Sequence, residues 1–350
     1  MANLNNNIII YPEDKIKDAM EKINSFPAGS TLFVIERSTD KVIGTLTDGD
    51  IRRGLLKGIE IIDLVDKVMR SSFKFLTKGN YYNDQIEVFK NLNLKTIPLL
   101  DDEGKLLKVY DLTILKNVLP VDVVIMAGGK GERLLPMTKE TPKPLLKVGN
   151  KPILEHNIDR LAANGIENFY ISVNYLGDMI KGYFKDGDSK KISIKYVDEE
   201  VPLGTIGAVS RIKEFGSENV LVMNSDLLTN IDFADFYNEF ITQGADIAVA
   251  TIPYKVPIPY AVIETNGNIV RSLKEKPIFT YYSNAGIYLI KSKLLKTIPQ
   301  NVFYNATDFI DAAIAEAHKI ISYPILGYWL DIGKPEDYIR AQEEVKHLNL

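Results

Sequence analysis

The sequence predicts an α/β protein in two parts. Residues 119–350 read as a mostly parallel sheet with helices on both faces, and residues 1–118 as a smaller α+β module in front of it. Three observations predict this. From Val121 onward, short apolar runs alternate with amphipathic stretches at helical spacing, the pattern of strand–helix–strand units. Before Lys116 the elements form a weak internal repeat of about 60 residues, too long and too few in copies for a solenoid. A chain of 350 residues that is 45% apolar can fill two or three domains with ordinary cores.

The first copy of the repeat runs from about Ile8 to Leu56. It reads as a short strand, a helix over Asp14–Asn24, a strand over Thr31–Glu36, a turn at Ser38-Thr39-Asp40, a strand over Lys41–Thr47 and a helix from Asp50. The second copy, about Lys74 to Lys116, has a helix over Asn83–Asn91, strands over Thr96–Leu100 and Lys105–Tyr110 around Asp101-Asp102-Glu103-Gly104, and a helix from Asp111. In the larger part, strands are expected at Val121–Met126, Asn168–Val173, Ile192–Tyr196, Asn219–Asn224, Ile247–Thr251, Tyr260–Glu264 and Ala285–Ile290. Helices are expected at Ile153–Asn164, Leu176–Phe184, Gly204–Lys213, Phe233–Gln243 and Ala306–Ala317. Ligands of such sheets sit beyond the carboxyl ends of the strands, so Gly128 and Asp226, each just after a strand, can share one rim.

Composition excludes several classes. A formal charge of −4 gives no electrostatic case for binding nucleic acid. With no cysteine there are no disulfides, thiolate metal sites or thiol nucleophiles. The three histidines, His156, His318 and His347, are too scattered to suggest a metal site. No charged-then-apolar leader opens the chain and no apolar run approaches a bilayer span, so no membrane role and a cytoplasmic location are expected.

The richest stretch is Val123–Lys147. A buried strand leads into Ala127-Gly128-Gly129-Lys130-Gly131, followed by Arg133 and Lys143 in a segment punctuated by Pro136, Pro142 and Pro144. Bare glycines let backbone N–H groups approach an anion, and two cations beside them suit a polyphosphate. The string is neither a dinucleotide fingerprint, since Leu134 stands where a third glycine is needed, nor a Walker A loop. It resembles the signature of the sugar-1-phosphate nucleotidyltransferases: G-G-x-G-x-R-L-x-P-x-T, then P-K-P-L, then K-P-x-L-E, ending here at Lys151-Pro152-Ile153-Leu154-Glu155. The resemblance continues to the C-terminus and implies a Rossmann-like nucleotidyltransferase fold. It also implies attack by a sugar phosphate oxygen on the α-phosphorus of a nucleoside triphosphate, with Mg²⁺ as cofactor.

By that resemblance Arg133 holds the triphosphate, and Lys143 neutralises charge near the α-phosphate. Asp226, in Asn224-Ser225-Asp226, and Asp331, in Trp329-Leu330-Asp331-Ile332-Gly333, flank the metal. One or two carboxylates suffice for Mg²⁺, which keeps several waters. Ala127, Gly128, Gly129 and Gly131 would line the nucleotide. So would Glu199-Glu200…Gly204, which resembles the family's E-x-P-L-G-T-A-G-A element, and Asn174 is a further polar contact near the base. A carboxylate at Glu199 or Glu200 can accept two hydrogen bonds from the pairing edge of guanine, which leans towards GTP. Glu275-Lys276-Pro277 matches E-K-P, a glutamate for sugar hydroxyls and a lysine for the sugar phosphate, and Asn284-Ala285-Gly286 matches N-A-G. Three positions depart from the family pattern: Ser225 for glycine, Lys334 for threonine, and Ala261 for the glycine that gives a backbone contact to the sugar.

The N-terminal repeat resembles a tandem pair of CBS domains, best in Val42-Ile43-Gly44-Thr45-Leu46-Thr47-Asp48-Gly49-Asp50. In that family the aspartate opening the last helix can hold a ribose and the nearby threonine can touch phosphate, which points to Asp50 and Thr47. Asp50 reads equally as a helix cap. Dimerisation or scaffolding is the first use expected of the module and binding of an adenine nucleotide or nucleotide sugar as effector the second, and a homodimer is expected. The fused arrangement looks like the guanylyltransferases of bacterial legionaminic-type acid synthesis. The expected order of substrates is therefore GTP with glucosamine 1-phosphate, GTP with mannose or heptose 1-phosphate, then UTP or dTTP with glucose 1-phosphate. The rival of another class is a non-catalytic nucleotide-sensing subunit.

Overall fold

The computed structural model describes residues 6–25, 31–77 and 83–347. Two compact units divide the chain, residues 1–118 and 119–350.

The N-terminal unit builds the same small sheet twice. In the first, Ile9–Ile10 runs parallel to Thr31–Ile35, which pairs antiparallel with Val42–Thr47. In the second, Leu76–Thr77, Thr96–Leu100 and Leu106–Asp111 repeat that order. Alternating burial along Val42–Thr47 turns Val42, Gly44 and Leu46 inward. Helices Ile16–Asn24 and Asp48–Leu55 place Ile16 and Ile51 over the first sheet with Ile10, Leu32 and Leu46, and helix Asn83–Asn91 places Ile86 and Phe89 over Leu76 and Ile97. Phe33, Val42, Leu100 and Leu106 join the two copies.

One expectation shifts here and another fails. The helix placed from Asp50 begins at Asp48, with Thr47 as its cap. The helix placed from Asp111 does not form. The Asp111 carboxylate accepts from the backbone N–H (2.8 Å) and hydroxyl (2.6 Å) of Thr113, a local turn that competes with helix, and Leu112 and Leu115 are buried.

The C-terminal unit is a seven-stranded sheet. Its strands are β1 (Val121–Met126), β2 (Asn168–Val173), β3 (Ser193–Asp198), β4 (Asn219–Asn224), β5 (Ile247–Pro257), β6 (Ile278–Lys291) and β7 (Ile320–Pro324), in the order β3-β2-β1-β4-β6-β5-β7. Only β6 runs against its neighbours. β1 and β4 are buried along nearly their whole length, as strands covered on both faces must be. The order doubles back after β1, and that break in an open α/β sheet is where the crevice forms.

The stretch Gly204–Lys213 is not an α-helix. Gly204 sits at φ 79°, and a Cβ there would lie 2.5 Å from the Tyr304 carbonyl oxygen. Ile206 and Gly207 donate their N–H groups to that same oxygen, so tertiary hydrogen bonds hold a turn followed by a 3₁₀ segment, Gly207–Arg211. The strand expected at Tyr260–Glu264 lies at Val262–Asn266, in a separate hairpin with Ile269–Lys274. Unforeseen were that hairpin's second strand, β7, and the helix Pro335–Glu344. Pro335 at the first helical position and Glu336 and Asp337 in the first turn were the available signals for the helix.

Candidate active site

The carboxyl ends of β1, β2, β3 and β4 form one rim. Ala127 follows β1, Asn174 follows β2, Glu199 follows β3, and Ser225 and Asp226 follow β4. In-register pairing of Met126 with Asn224, and of Val173 with Asp198, keeps these ends level.

At the floor, Lys143 is 9% exposed and forms an ion pair with Asp226. Its Nζ also lies 3.9 Å from Oδ1 of Asp331. A short antiparallel pair brings the two aspartates together: Leu227–Thr229 against Trp329–Asp331, with Leu227 opposite Asp331. The Ile332 N–H donates to the Asp226 carbonyl at 3.1 Å and locks that approach. Burial pushes the Asp331 carboxyl up to about 6, and the neighbouring Asp226 charge adds to it against the pull of Lys143 and Arg133. One oxygen of each aspartate, Oδ1, is buried without a hydrogen-bond donor. Unpartnered carboxylate oxygens on two aspartates that both face Lys143 fit a hard divalent cation that takes oxygen ligands and keeps its own waters. No larger group of metal-binding side chains occurs among the described residues.

The glycine loop is shaped around the same floor. Gly131 adopts φ 65°, and a Cβ there would press within 3.1 Å of both Thr138 and Lys143. The Thr138 hydroxyl donates to the Gly131 carbonyl at 2.9 Å and ties the loop to the segment that delivers Lys143. Arg133, in the 3₁₀ turn Glu132–Leu134, is exposed and lies over Gly333, where a Cβ would be 3.3 Å from its guanidinium.

Glu199 and Glu200 differ sharply. Glu199 is buried beside the loop: a Cβ on Gly128 would fall 2.6 Å from its Oε1 and 3.4 Å from Asn174. The Leu203 N–H donates to Glu199 Oε2 at 3.0 Å, and Asn174 donates to the Glu199 carbonyl. Burial raises the Glu199 carboxyl above the usual range, partly offset by the Leu203 and Ser172 hydrogen bonds and by Arg211. Glu200 is exposed.

A cavity of about 270 Å³ opens at the same edge, lined by Thr205, Asn224, Asn284, Gly286, Tyr288, Asn305, Ala306 and Thr307. Asn284 accepts from the Gly286 N–H and donates to the Tyr288 hydroxyl, both at 2.8 Å. Gly286, at φ 71°, leaves room for Asn224, whose Nδ2 would sit 2.5 Å from a Cβ there. Asn305 and Thr307 escaped the sequence reading, because the start of helix Ala306–Ala315 meets the turn after Gly204, where Thr205 lies in the E-x-P-L-G-T-A-G-A element, only in three dimensions. Gly129 has open space around it. Glu275 and Lys276 are exposed at the foot of the hairpin and are not among the cavity lining.

In the N-terminal unit the Asp50 carboxylate is already engaged. Its Oδ2 accepts from the Thr47 N–H (3.0 Å) and hydroxyl (2.5 Å). Its Oδ1 meets Arg53 at 2.6 Å and Arg70 at 2.8 Å. Burial pushes this carboxyl up, but those bonds outweigh it and hold it below the usual range.

Residues 122–347 match the nucleotidyl transferase family model, and residues 4–57 match the CBS domain model. The chain is 31% identical to the mannose-1-phosphate guanylyltransferase of Mycobacterium tuberculosis over 231 residues, 64% of each chain. It therefore spans about two thirds of that relative's length. It is also 31% identical to the D-glycero-alpha-D-manno-heptose 1-phosphate guanylyltransferase of Aneurinibacillus thermoaerophilus, over 65% of this chain and 99% of that one. Among solved structures, HddC from Yersinia pseudotuberculosis in complex with GMP-PN superposes with a TM-score of 0.50 at 25% identity, covering 64% of this chain and 99% of that one.

Proposed function

The chain belongs to the nucleotidyl transferase family, and from that premise we propose that it transfers a nucleoside monophosphate to a sugar 1-phosphate. A sugar phosphate oxygen forms a bond to the α-phosphorus, the bond from that phosphorus to the bridging oxygen breaks, and pyrophosphate leaves. The observation that carries this reading is Lys143 held between Asp226 and Asp331 under a glycine loop.

Little covalent work is asked of the protein in such a displacement; positioning and charge neutralisation do most of it. Asp226 and Asp331 would hold Mg²⁺, which supplies positive charge to the phosphates when bound. Lys143 offsets the charge that builds on the α-phosphate, and Arg133 holds the outer phosphates. The N–H groups around Gly128, Gly129 and Gly131 line the approach of the triphosphate. Glu199, buried beside Gly128 and braced by Leu203, accepts from the base, with Asn174 as its neighbour. A carboxylate there suits the paired donors of guanine, and the guanylyltransferase relatives support GTP.

For the sugar, the fused CBS architecture supports glucosamine 1-phosphate and a role in legionaminic-type acid synthesis. The cavity favours a second reading. Its lining holds amides and hydroxyls but no carboxylate, which suits neutral hydroxyls better than an amino group. That agrees with the mannose and heptose 1-phosphates in the relatives' names. Glu275 and Lys276 would close over the sugar from the hairpin side. The N-terminal repeat is read as a tandem CBS module, 1–118, that takes an adenine nucleotide or nucleotide sugar as effector.

The test is pyrophosphate release with Mg²⁺ across the common nucleoside triphosphates crossed with glucosamine, mannose, heptose and glucose 1-phosphates. Release with GTP is expected, and the productive sugar decides between the two readings. No release with any pair, while nucleotide still binds, would overturn the transferase reading in favour of a sensing subunit.

A further inference from the structure

Asp226 sits where the chain leaves the main sheet. β4 ends at Asn224, and two residues later Leu227–Thr229 pairs with Trp329–Asp331, with no strand on its other edge among the described residues. Successive carbonyls of an extended chain point to opposite sides. The Asp226 carbonyl faces the partner strand and accepts from the Ile332 N–H at 3.1 Å. The Ser225 and Leu227 carbonyls face the bare edge, where an unmet backbone acceptor is costly.

One side chain meets both. Asn157 lies on helix Ile153–Ala163, and its Nδ2 donates to the Leu227 carbonyl at 2.9 Å and to the Ser225 carbonyl at 3.3 Å. The two hydrogens of one amide serve the two acceptors. Asn157 is 4% exposed, and the other residues that this helix buries are all apolar: Ile153, Leu154, Ile158 and Leu161. On such a stripe a leucine would pack with no amide to satisfy, so packing alone does not call for asparagine. The helix is itself well anchored. Ile153 packs with Leu228, Leu330 and Ile332, near the two aspartates in the chain. Glu155 and Asp159 both accept from Lys190, at 2.7 and 2.6 Å, and Arg160 donates to the Ile231 carbonyl at 2.6 Å.

We propose that Asn157 is a positioning residue for the aspartate pair. It fixes the backbone on both sides of Asp226 without touching the carboxylate, whose Oδ2 meets Lys143 and whose Oδ1 has no donor. Through the Asp226 carbonyl and Ile332 it also sets where Asp331 stands. Carboxylates spaced in advance leave less ordering to the cation, and losing a supporting hydrogen bond around a metal site typically costs about 10–100-fold in affinity or activity. This role rests on the proposed function, in which Asp226 and Asp331 hold Mg²⁺.

The probe is Mn²⁺, titrated into the full chain and followed by electron paramagnetic resonance. Wild type should bind it at a site that Asp226→Asn removes. Asn157→Leu, close in volume but without donors, should lower that affinity at least ~10-fold. In pyrophosphate release, the Mg²⁺ concentration for half-maximal rate should rise by the same factor, and the KM for the nucleoside triphosphate by less than ~3-fold. Asn157→Gln, which keeps both donors, should restore most of the affinity. Leu161→Ala, on the same buried stripe, controls for lost packing: the melting temperature should fall while Mn²⁺ affinity stays within ~2-fold of wild type. Should the leucine variant not fold, Asn157→Ser, which keeps one donor, takes its place with a loss of at least ~3-fold expected. Mn²⁺ bound as tightly by the donor-deficient variant as by wild type, or lost equally in Leu161→Ala, would overturn the positioning role and leave the metal site standing. No Mn²⁺ site sensitive to Asp226→Asn would overturn the metal reading itself, and the role of Asn157 with it.

Discussion

Lys143 is the residue on which the floor of the site depends, since it separates two carboxylates that would otherwise repel. Replacing it with methionine should cost about 10²–10³-fold in pyrophosphate release, the usual loss for one preorganised charge contact. The same change should lower the melting temperature, because Asp226 and Asp331 then face each other without a cation. Asp331→Asn should separate the two effects. Turnover should collapse, yet the melting temperature of the metal-free protein should not fall, because the change removes a carboxylate whose Oδ1 is buried without a donor. A marked loss of stability in that variant would contradict the reading of Asp331 as a carboxylate kept for the cation and not for the fold. Gly128→Ala tests the loop: the new methyl would meet the Glu199 carboxylate. Nucleotide affinity should drop at least ~10-fold with the fold retained, as titration calorimetry can show.

At the scale of elements, Asp246 is the clamp of the sheet's far side. It precedes β5, accepts from Lys291 at the end of β6 (2.8 Å) and from the Lys319 N–H before β7 (3.1 Å), and has His318 at 3.5 Å, which in turn faces Glu316 at 3.4 Å. The Lys291 bond, aided by the Lys319 and His318 contacts, pulls its carboxyl down to about 2. A carboxyl lowered in the folded state adds stability that is complete above the unfolded value near 3.8 and is lost as pH falls towards about 2. Asp246→Asn should therefore cost roughly 1 kcal/mol at neutral pH, after discounting for partial exposure. The gap in urea midpoint between variant and wild type should hold down to about pH 4 and close below it. Helix Asp48–Leu55 carries a second element-scale test. Thr47 and Asp50 form a reciprocal capping box. Asp50→Ala should destabilise the N-terminal unit by at least ~1 kcal/mol, since it removes the box and leaves Arg53 and Arg70 without their shared carboxylate.

For the whole molecule, the pattern is a transferase-type sheet preceded by a separate two-copy module with its own cores. If that module senses nucleotides, an adenine nucleotide or nucleotide sugar should raise the melting temperature by mass action and change turnover in the same concentration range. Neither effect with any such ligand would leave the module as a scaffold. Among the described residues, no helix is long and apolar enough to cross a membrane.

By itself the sequence determined what local chemistry determines. Buried strands such as Val121–Met126 and Asn219–Asn224 declare themselves by apolar runs. The glycine loop, Lys143, Asp226 and Asp331 were singled out by the family resemblance their motifs carry, and the structure sets Lys143 against both aspartates. The doubling of the first 118 residues was legible because each copy repeats a short pattern. Only the tertiary structure decided what depends on distant partners. It chose between the adjacent Glu199 and Glu200, since burial beside Gly128 is set by the pairing of β3 with β2. It turned Gly204–Lys213 from helix into a turn, because hydrogen bonds to Tyr304 outweigh local propensity. It gathered Thr205, Asn224 and Asn305 around one cavity, and it exposed a hairpin whose apolar residues read, in one dimension, like any other strand.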